Sequence, residues 1–382
     1  MLYEIKDQFS IEMIADEGGA HISLYQPTHR HLPENKKDLI QFKNLLREIV
    51  NSLKQKNESS FINTIMAPFY ELEADRDFWD NTFDGIAVLA TKEKCTIYKL
   101  TGKIKAFAGV STRFHIKPLI QAFQFLQNYQ VLVLSQNNFS LYQGNRYGFS
   151  EIEIDPEIPR TLAEVLGKQK TDPALSQGSF GGVGNTAVFH GKGSKKEEDD
   201  KDTEKYFRYV DQYVYENYSK TSKMPLILAT LKESQTPFKK LSNNPYLMET
   251  CIDFSYDLLE KQQLQSSVLA FIQALNVKKR AKIIETYKKA EGDLKGSSDL
   301  VEVAKAAYES QVETLLIEAN KIIAGKVDQS TGKIKFGDID APDCGDLLDG
   351  LAALVLNKKG KVIIVAKENM PSATGIAAIY RY

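Results

Sequence analysis

The longest apolar runs in this chain, IAVLA, VLVL, PLILA and VIIVA, are each the length of a β-strand. Crossing a bilayer takes roughly 20 such residues, so each run has to be covered by other parts of a soluble fold. Segments with a helical period lie between them. Leu39, Phe42, Leu46, Ile49 and Leu53 recur at spacings of three and four, which places them on one face of a helix begun near Pro33 and Glu34. Strands alternating with such helices give an α/β fold class.

The 382 residues, 42% of them hydrophobic, suffice for more than one core. Three segments are expected. In residues 1–128, the strand His21–Tyr25 precedes the helix, GIAVLA and TIYKL pair around TKEKC, and a further helix starts at Pro118. In residues 129–260, VLVLS, NFSLYQ and FSEIEI form a meander. A short helix at Thr161–Leu166, a glycine-rich stretch, the strand TAVFH, a charged loop, a helix from about Asp202 to Tyr218 and the strand PLILAT follow. A helical run opened by a cap at Ser255, with room for a break within it, leads into residues 261–382, where a cap at Ser298 follows. The strand VETLLIE, the hairpin KVDQSTGKIKF, the helix DLLDGLAALVLNKK stopped by Gly360 and two final strands complete the segment.

The stretch GSFGGVGNTAVFHGKG followed by SKKEEDDKD concentrates the functional signal. Its glycines permit tight backbone, and the charges after them cannot enter a core unneutralised. A mobile tip is therefore expected from about Lys192 to Asp202, where no apolar residue anchors the chain. Gly182, Gly184 and Ala187 formally spell G-x-G-x-x-A, but a loop precedes them and a strand follows, the reverse of a dinucleotide site. Gly191-Lys192-Gly193 lacks the hydroxyl residue of a phosphate loop.

Other constellations exclude more than they assign. Formal charge is −1, so nucleic-acid contact would come from local patches. Three distant cysteines, Cys95, Cys251 and Cys344, fit neither a disulfide framework nor zinc spacing; a reducing cytoplasm is the expected location, and no secretory signal opens the sequence. His29 and His31 around Arg30 are too few to complete a metal site and are candidate phosphate contacts. DIDAPDCGDLLD departs from calcium-loop spacing; its carboxylates suit the N-terminus of the following helix. Phe207, Val210 and Val214 form an inward helix face with Tyr206, Tyr209, Tyr213 and Tyr218 adding aromatic packing around it; base stacking is the alternative use of those rings. VKKRAK reads as a solvated helix face. No catalytic triad stands out, and no cofactor or metal is expected.

The strings SLYQPTHRHLPENKKDLIQFKNLL, VLVLSQNNFSLYQG, FHGKG with KYFRYVDQYV, PLILA, VETLLIE and AAIYRY resemble the bacterial relatives of the archaeo-eukaryotic peptide-chain release factors, a family with Pelota as a distant member. The resemblance implies three domains: an amino-terminal α/β domain, a ribonuclease-H-like middle domain, and a carboxy-terminal domain like the kink-turn-binding ribosomal proteins. It also implies that the middle-domain loop before a long helix reaches the peptidyl-transferase centre, where release factors carry Gly-Gly-Gln. The matching interval here, His190 to Glu204, contains Gly191, Lys192 and Gly193 and no glutamine.

Two functions follow as expectations. One is a cytoplasmic ribosome- and tRNA-binding protein acting on stalled or stressed ribosomes, with no DNA or membrane partner. Its contact loop would comprise His190, Gly191, Lys192, Gly193, Lys195 and Lys196, with His29, Arg30 and His31 secondary. The other is a peptidyl-tRNA hydrolase or nuclease using His190 as a general base. The missing tripeptide weighs against an enzyme.

Overall fold

The computed structural model describes residues 2–14, 18–30, 33–55, 58–102, 104–126, 128–145, 148–167, 193–258, 260–338 and 345–382, with 193–198 and 258 described by backbone alone. The architecture is mixed α/β with several sheets. Two compact units divide it: residues 1–125 with 276–382, and residues 126–275.

The amino-terminal part of the first unit carries β1 (Glu4–Ile5), β2 (His21–Pro27), α1 (Lys36–Lys54), α2 (Ser59–Ala74), α3 (Arg76–Asp80), β3 (Gly85–Ala90), β4 (Cys95–Leu100), β5 (Phe107–Ser111) and α4 (Lys117–Phe123). Its sheet has the order β1-β4-β3-β2-β5. β3 pairs antiparallel with β2 and β4, as the GIAVLA and TIYKL runs anticipate. Every residue of β3 is buried because the sheet is covered on both faces. On one side Ile86 and Val88 meet Phe42, Leu46 and Ile49 of α1; on the other Ala87 and Leu89 join a core that includes Leu348 and Leu351. α2, with Pro68 inside it, is a helix the sequence pattern did not announce.

The second unit carries β6 (Asn128–Leu134), β7 (Phe139–Asn145), β8 (Phe149–Glu151), α5 (Leu162–Leu166), α6 (Gly193–Val214), a π turn, α7 (Lys220–Ser222), β9 (Leu226–Thr230), α8 (Lys232–Leu241), β10 (Ile252–Asp253) and the first part of α9 (Lys261–Gly292). The order is β10-β9-β6-β7-β8: β6 runs antiparallel to β7 and parallel to β9, which is parallel to β10. Val131 and Val133 point to the face covered by Leu264 and Val268 of α9. Leu132 and Leu134 point to Phe207, Val210 and Phe238 on the opposite face. Period-two alternation over a sheet covered on both sides explains the unbroken VLVL run.

Two local expectations are corrected. α6 begins at Gly193, not near Asp202, so the charged segment from Gly193 onward is helical rather than a loop. Lys and Glu are good helix formers, and opposite charges three and four residues apart support the helix, as Lys205 does with Asp202 at 3.1 Å. α9 starts at Lys261, after a short turn at Tyr256–Leu258, and continues to Gly292 without the break the sequence allowed for.

The carboxy-terminal part of the first unit adds β11 (Gly296–Ser297), α10 (Leu300–Tyr308), β12 (Val312–Glu318), β13 (Ala324–Val327), β14 (Ile334–Phe336), β15 (Gly345–Asp346), α11 (Leu347–Asn357), β16 (Lys361–Val365) and β17 (Ile376–Tyr380). β12 lies between β17, antiparallel, and β16, parallel; the KVDQSTGKIKF hairpin is β13 paired with β14. Leu315 and Ile317 share the core that also contains Tyr25 and Leu89, while Leu316 faces Tyr287 and Val365.

Phe207 is 1% exposed and its ring meets Phe238 edge-on at 5.5 Å. Phe207→Ala should therefore cost about 3–5 kcal/mol, read as a lower urea midpoint for the transition that includes residues 126–275.

Candidate functional site

Of the residues singled out from sequence, His31, His190, Gly191 and Lys192 lie outside the described residues. Gly193, Lys195 and Lys196 fall in the first turn of the 22-residue α6. His29 and Arg30 are both engaged locally. The His29 backbone N–H donates to Asp38 Oδ2 at 2.7 Å, and its Nδ1 lies 2.7 Å from Asp38 Oδ1. Arg30 makes a two-pronged pair with Asp84 at 2.7 and 3.0 Å and lies over the Phe83 ring at 5.2 Å. That pair holds the Asp84 carboxyl below its ordinary range.

The structure builds a second cluster, of which the sequence pattern marked the carboxylates but not their partners His115 and Lys117. β5 leads through Arg113 and Phe114 to His115 and Lys117 at the start of α4; β15 leads to Asp346 and Asp349 at the start of α11. Asp346 caps α11 by accepting from Leu348 N–H at 3.0 Å and also accepts from Ile323 N–H at 3.1 Å. Asp349 accepts from Ile116 N–H at 2.9 Å, Lys117 N–H at 3.0 Å and His115 Nδ1 at 2.5 Å. Lys117, 1% exposed, donates its ammonium to Asp346 and to the Lys321 carbonyl. The reading of these carboxylates as a helix-N-terminal pair holds; their cationic partners come from more than 200 residues earlier in the chain, as the separation of 232 between Lys117 and Asp349 records.

The environment pushes the two carboxyls apart. Burial, then the Asp349 charge, raises Asp346 despite the Lys117 ammonium. Burial would also raise Asp349, but the charge and hydrogen bond of His115, with Lys117 and the Ile116 N–H, hold it below its ordinary value. His115 is itself fixed: its N–H donates to Ser23 Oγ at 2.9 Å, Tyr25 donates its hydroxyl to the His115 carbonyl, and Phe107 lies against the imidazole at 4.6 Å. The cluster borders a cavity of about 260 Å³ lined also by Phe107, Gly109, Val110 and Val327.

His115, Asp346 and Asp349 bring ligand atoms within 4.8 Å of one another, a donor set of the kind that can hold a divalent cation. Here the set is committed: Lys117 supplies the positive charge on Asp346, and backbone N–H groups and His115 occupy Asp349. The arrangement locks the two ends of the unit together. Cys95 is buried in the first unit, and that burial pushes its thiol up to about 12. Among the described residues, no helix is long and apolar enough to cross a membrane.

Residues 128–311 match the model of the bacterial archaeo-eukaryotic release factor family 3, so the resemblance read from the sequence holds across the middle of the chain. No curated relative matches. Among solved structures, an archaeal translation termination factor is similar at 13% identity, with 97% of this chain and 95% of that one covered and a TM-score of 0.26. Ribosome-bound archaeal Pelota is similar at 16% identity, covering 74% and 73%, with a TM-score of 0.40. The S. cerevisiae termination-like factor Dom34 is similar at 14% identity, covering 76% and 73%, with a TM-score of 0.38. Likeness at these scores carries no conclusion about activity.

Lys117→Met should cost about 3–5 kcal/mol by leaving Asp346 buried without its cation, measured as a fall in the melting temperature. Asp349→Asn tests the charge itself. A carboxyl lowered on folding stabilises fully above its unfolded value of about 4, and that contribution is lost as pH falls through the folded value. The gap in melting temperature between wild type and Asp349→Asn should be widest near neutrality and shrink below about pH 4.

Proposed function

We propose that this chain is a cytoplasmic, ribosome- and tRNA-binding protein of the release-factor type that acts on stalled or stressed ribosomes without the Gly-Gly-Gln tripeptide. The observation that carries the reading is the match of residues 128–311 to the release-factor family. The strand order of the second unit, an antiparallel meander β8-β7-β6 continued by parallel β9 and β10, supports a ribonuclease-H-like middle domain. The four-stranded sheet β11-β17-β12-β16, with α10 and α11 packed on one face, supports a carboxy-terminal domain like the kink-turn-binding ribosomal proteins. We divide the chain at 1–128, 129–260 and 261–382, each part carrying its own principal sheet.

The contact end in this reading is the start of α6 with the residues before it: His190, Gly191, Lys192, Gly193, Lys195 and Lys196. A helix N-terminus presents unpaired N–H groups and a positive dipole end, and lysines in the same turn add to the attraction for phosphate. His29, Arg30 and His31 are secondary contacts. With a net charge of −1, engagement depends on such local patches and weakens with salt.

Co-sedimentation with ribosomes across a salt series tests the proposal. The wild type should pellet with ribosomes at low salt, and Lys195→Glu with Lys196→Glu should release it at lower salt without changing its melting temperature. Absence from the ribosomal pellet at every salt concentration would sink it. Multiple turnover on peptidyl-tRNA, abolished by His190→Ala, would replace it with the hydrolase reading.

A further inference from the structure

The chain as a whole balances 49 lysines and arginines against 50 aspartates and glutamates, yet one exposed helix face of the first unit does not. Phe42, Leu45, Leu46, Ile49 and Leu53 turn one side of α1 into the core. Steps of four, three, four, four and three residues carry Lys36, Ile40, Lys43, Arg47, Asn51 and Lys54 along the opposite side. All six are exposed. At about 1.5 Å per residue the ridge runs for about 27 Å, and it holds four cations and no acid.

The acids nearby leave that charge largely in place. On α1 itself Asp38 is buried and engaged by His29, while Glu48 lies off the ridge, about 100° around the helix from Arg47. Glu34 precedes the helix. Among the described residues the ridge makes one ion pair, Lys43 Nζ with Glu73 Oε1 of α2 at 3.3 Å, and Arg47 donates to Asn44 Oδ1 at 3.1 Å. Like charges four residues apart, as at Lys43 and Arg47, lower helix stability, and Lys36 in the first turn meets the positive end of the helix dipole. A polyanion lying along the ridge would reverse the sign of both effects.

Partners of opposite charge differ in what else they require. An anionic membrane takes an amphipathic helix by its apolar face, and the apolar face of α1 is committed to the core. An acidic protein surface needs apolar or aromatic anchors at its centre, and Ile40, 62% exposed, is the one large apolar side chain on the ridge. A nucleic-acid backbone needs neither. A duplex carries roughly one charge per 2 Å of its axis, so a row of cations meets phosphates in any register. We infer that the α1 ridge binds the phosphate backbone of an RNA helix, without regard to base sequence. The choice of RNA over DNA rests on the ribosome-binding reading; the choice of a nucleic-acid backbone rests on the ridge. Asp38, two residues after Lys36, holds His29, so the ridge begins beside the secondary contacts His29 and Arg30.

Fluorescence anisotropy of the full chain with a mixed-sequence RNA duplex of about 20 base pairs, without ribosomes and from about 50 to 200 mM salt, tests the inference. Each phosphate neutralised contributes about 0.9 to the slope of log affinity against log salt. Lys36→Gln, Arg47→Gln and Lys54→Gln together should therefore flatten the slope by about 2.7 and weaken binding to every duplex sequence alike. The melting temperature should not change, because the positions are exposed and glutamine forms helix about as well as lysine or arginine. Each substitution alone should flatten the slope by about 0.9, which keeps the test available should the triple variant not fold. Lys326→Gln, Lys333→Gln and Lys335→Gln, exposed on the β13–β14 hairpin, remove the same net charge elsewhere and should leave the slope unchanged. An equal loss in that control, an unaltered slope in the folded ridge variants, or capture by phosphatidylserine vesicles or duplex DNA in preference to RNA would overturn the inference. Ribosome pelleting is scored separately. A chain that pellets with ribosomes but ignores the duplex refutes the ridge alone, and one that binds the duplex through the ridge but never pellets refutes the ribosomal reading alone.

Discussion

One buried carboxylate organises the first unit. Asp349 receives the N–H groups of Ile116 and Lys117 and the imidazole of His115, so the turn entering α4 is tied to the first turn of α11. Removing two carboxylates from water is expensive, and the cost is offset only where hydrogen-bond donors and cations replace the lost water. Here Lys117, His115 and four backbone N–H groups supply those donors between Asp346 and Asp349. The geometry leaves little latitude, so the cluster specifies one register between segments far apart in the sequence, and Leu348 and Leu351 of α11 pack into the same core as Ala87 and Leu89 of β3.

The second unit is held by a different principle. Its central strand β6 alternates Val131 and Val133 toward one layer of helix and Leu132 and Leu134 toward the other, and apolar packing on both faces fixes its register. Tyr206 donates its hydroxyl to the Arg160 carbonyl at 2.7 Å, which joins α6 to the turn before α5. That bond and the burial of the ring assign Tyr206 to packing. Tyr209 and Tyr213 stack on each other at 6.2 Å beside the same core.

What the sequence revealed follows from the range over which each signal acts. The α1 face, the β3–β4 pair, the β13–β14 hairpin and the short helix from Thr161 are written in residues fewer than about 20 apart, where period and turn chemistry suffice. The capping box at Thr161 and Glu164 is visible in four letters. α2 escaped because Pro68 in its middle is a helix-breaking signal, yet the residue is buried there beside Ile65 and Phe69. The charged run that opens α6 misled because high charge fits both a solvated loop and a solvated helix; only the continuation into Tyr206, Phe207 and Val210 decides between them, by giving the helix an anchored end. The His115–Asp349 pair had no local signature, for 234 positions separate its members: the acidic stretch showed Asp349 without its partner.

Asp349 and Thr230 are both buried polar groups, and the contrast between them separates a satisfied group from an unsatisfied one. Around Asp349 three donors converge and offset much of the cost of burying its charge. Around Thr230 the carbonyl is satisfied, by Gln235 Nε2 at 3.2 Å and Phe254 N–H at 3.3 Å, while the hydroxyl is not. A valine would fill the same volume in β9 with β-propensity at least as high and no desolvation cost. The unpaired hydroxyl at the end of β9 is therefore a cost to stability that no partner among the described residues offsets.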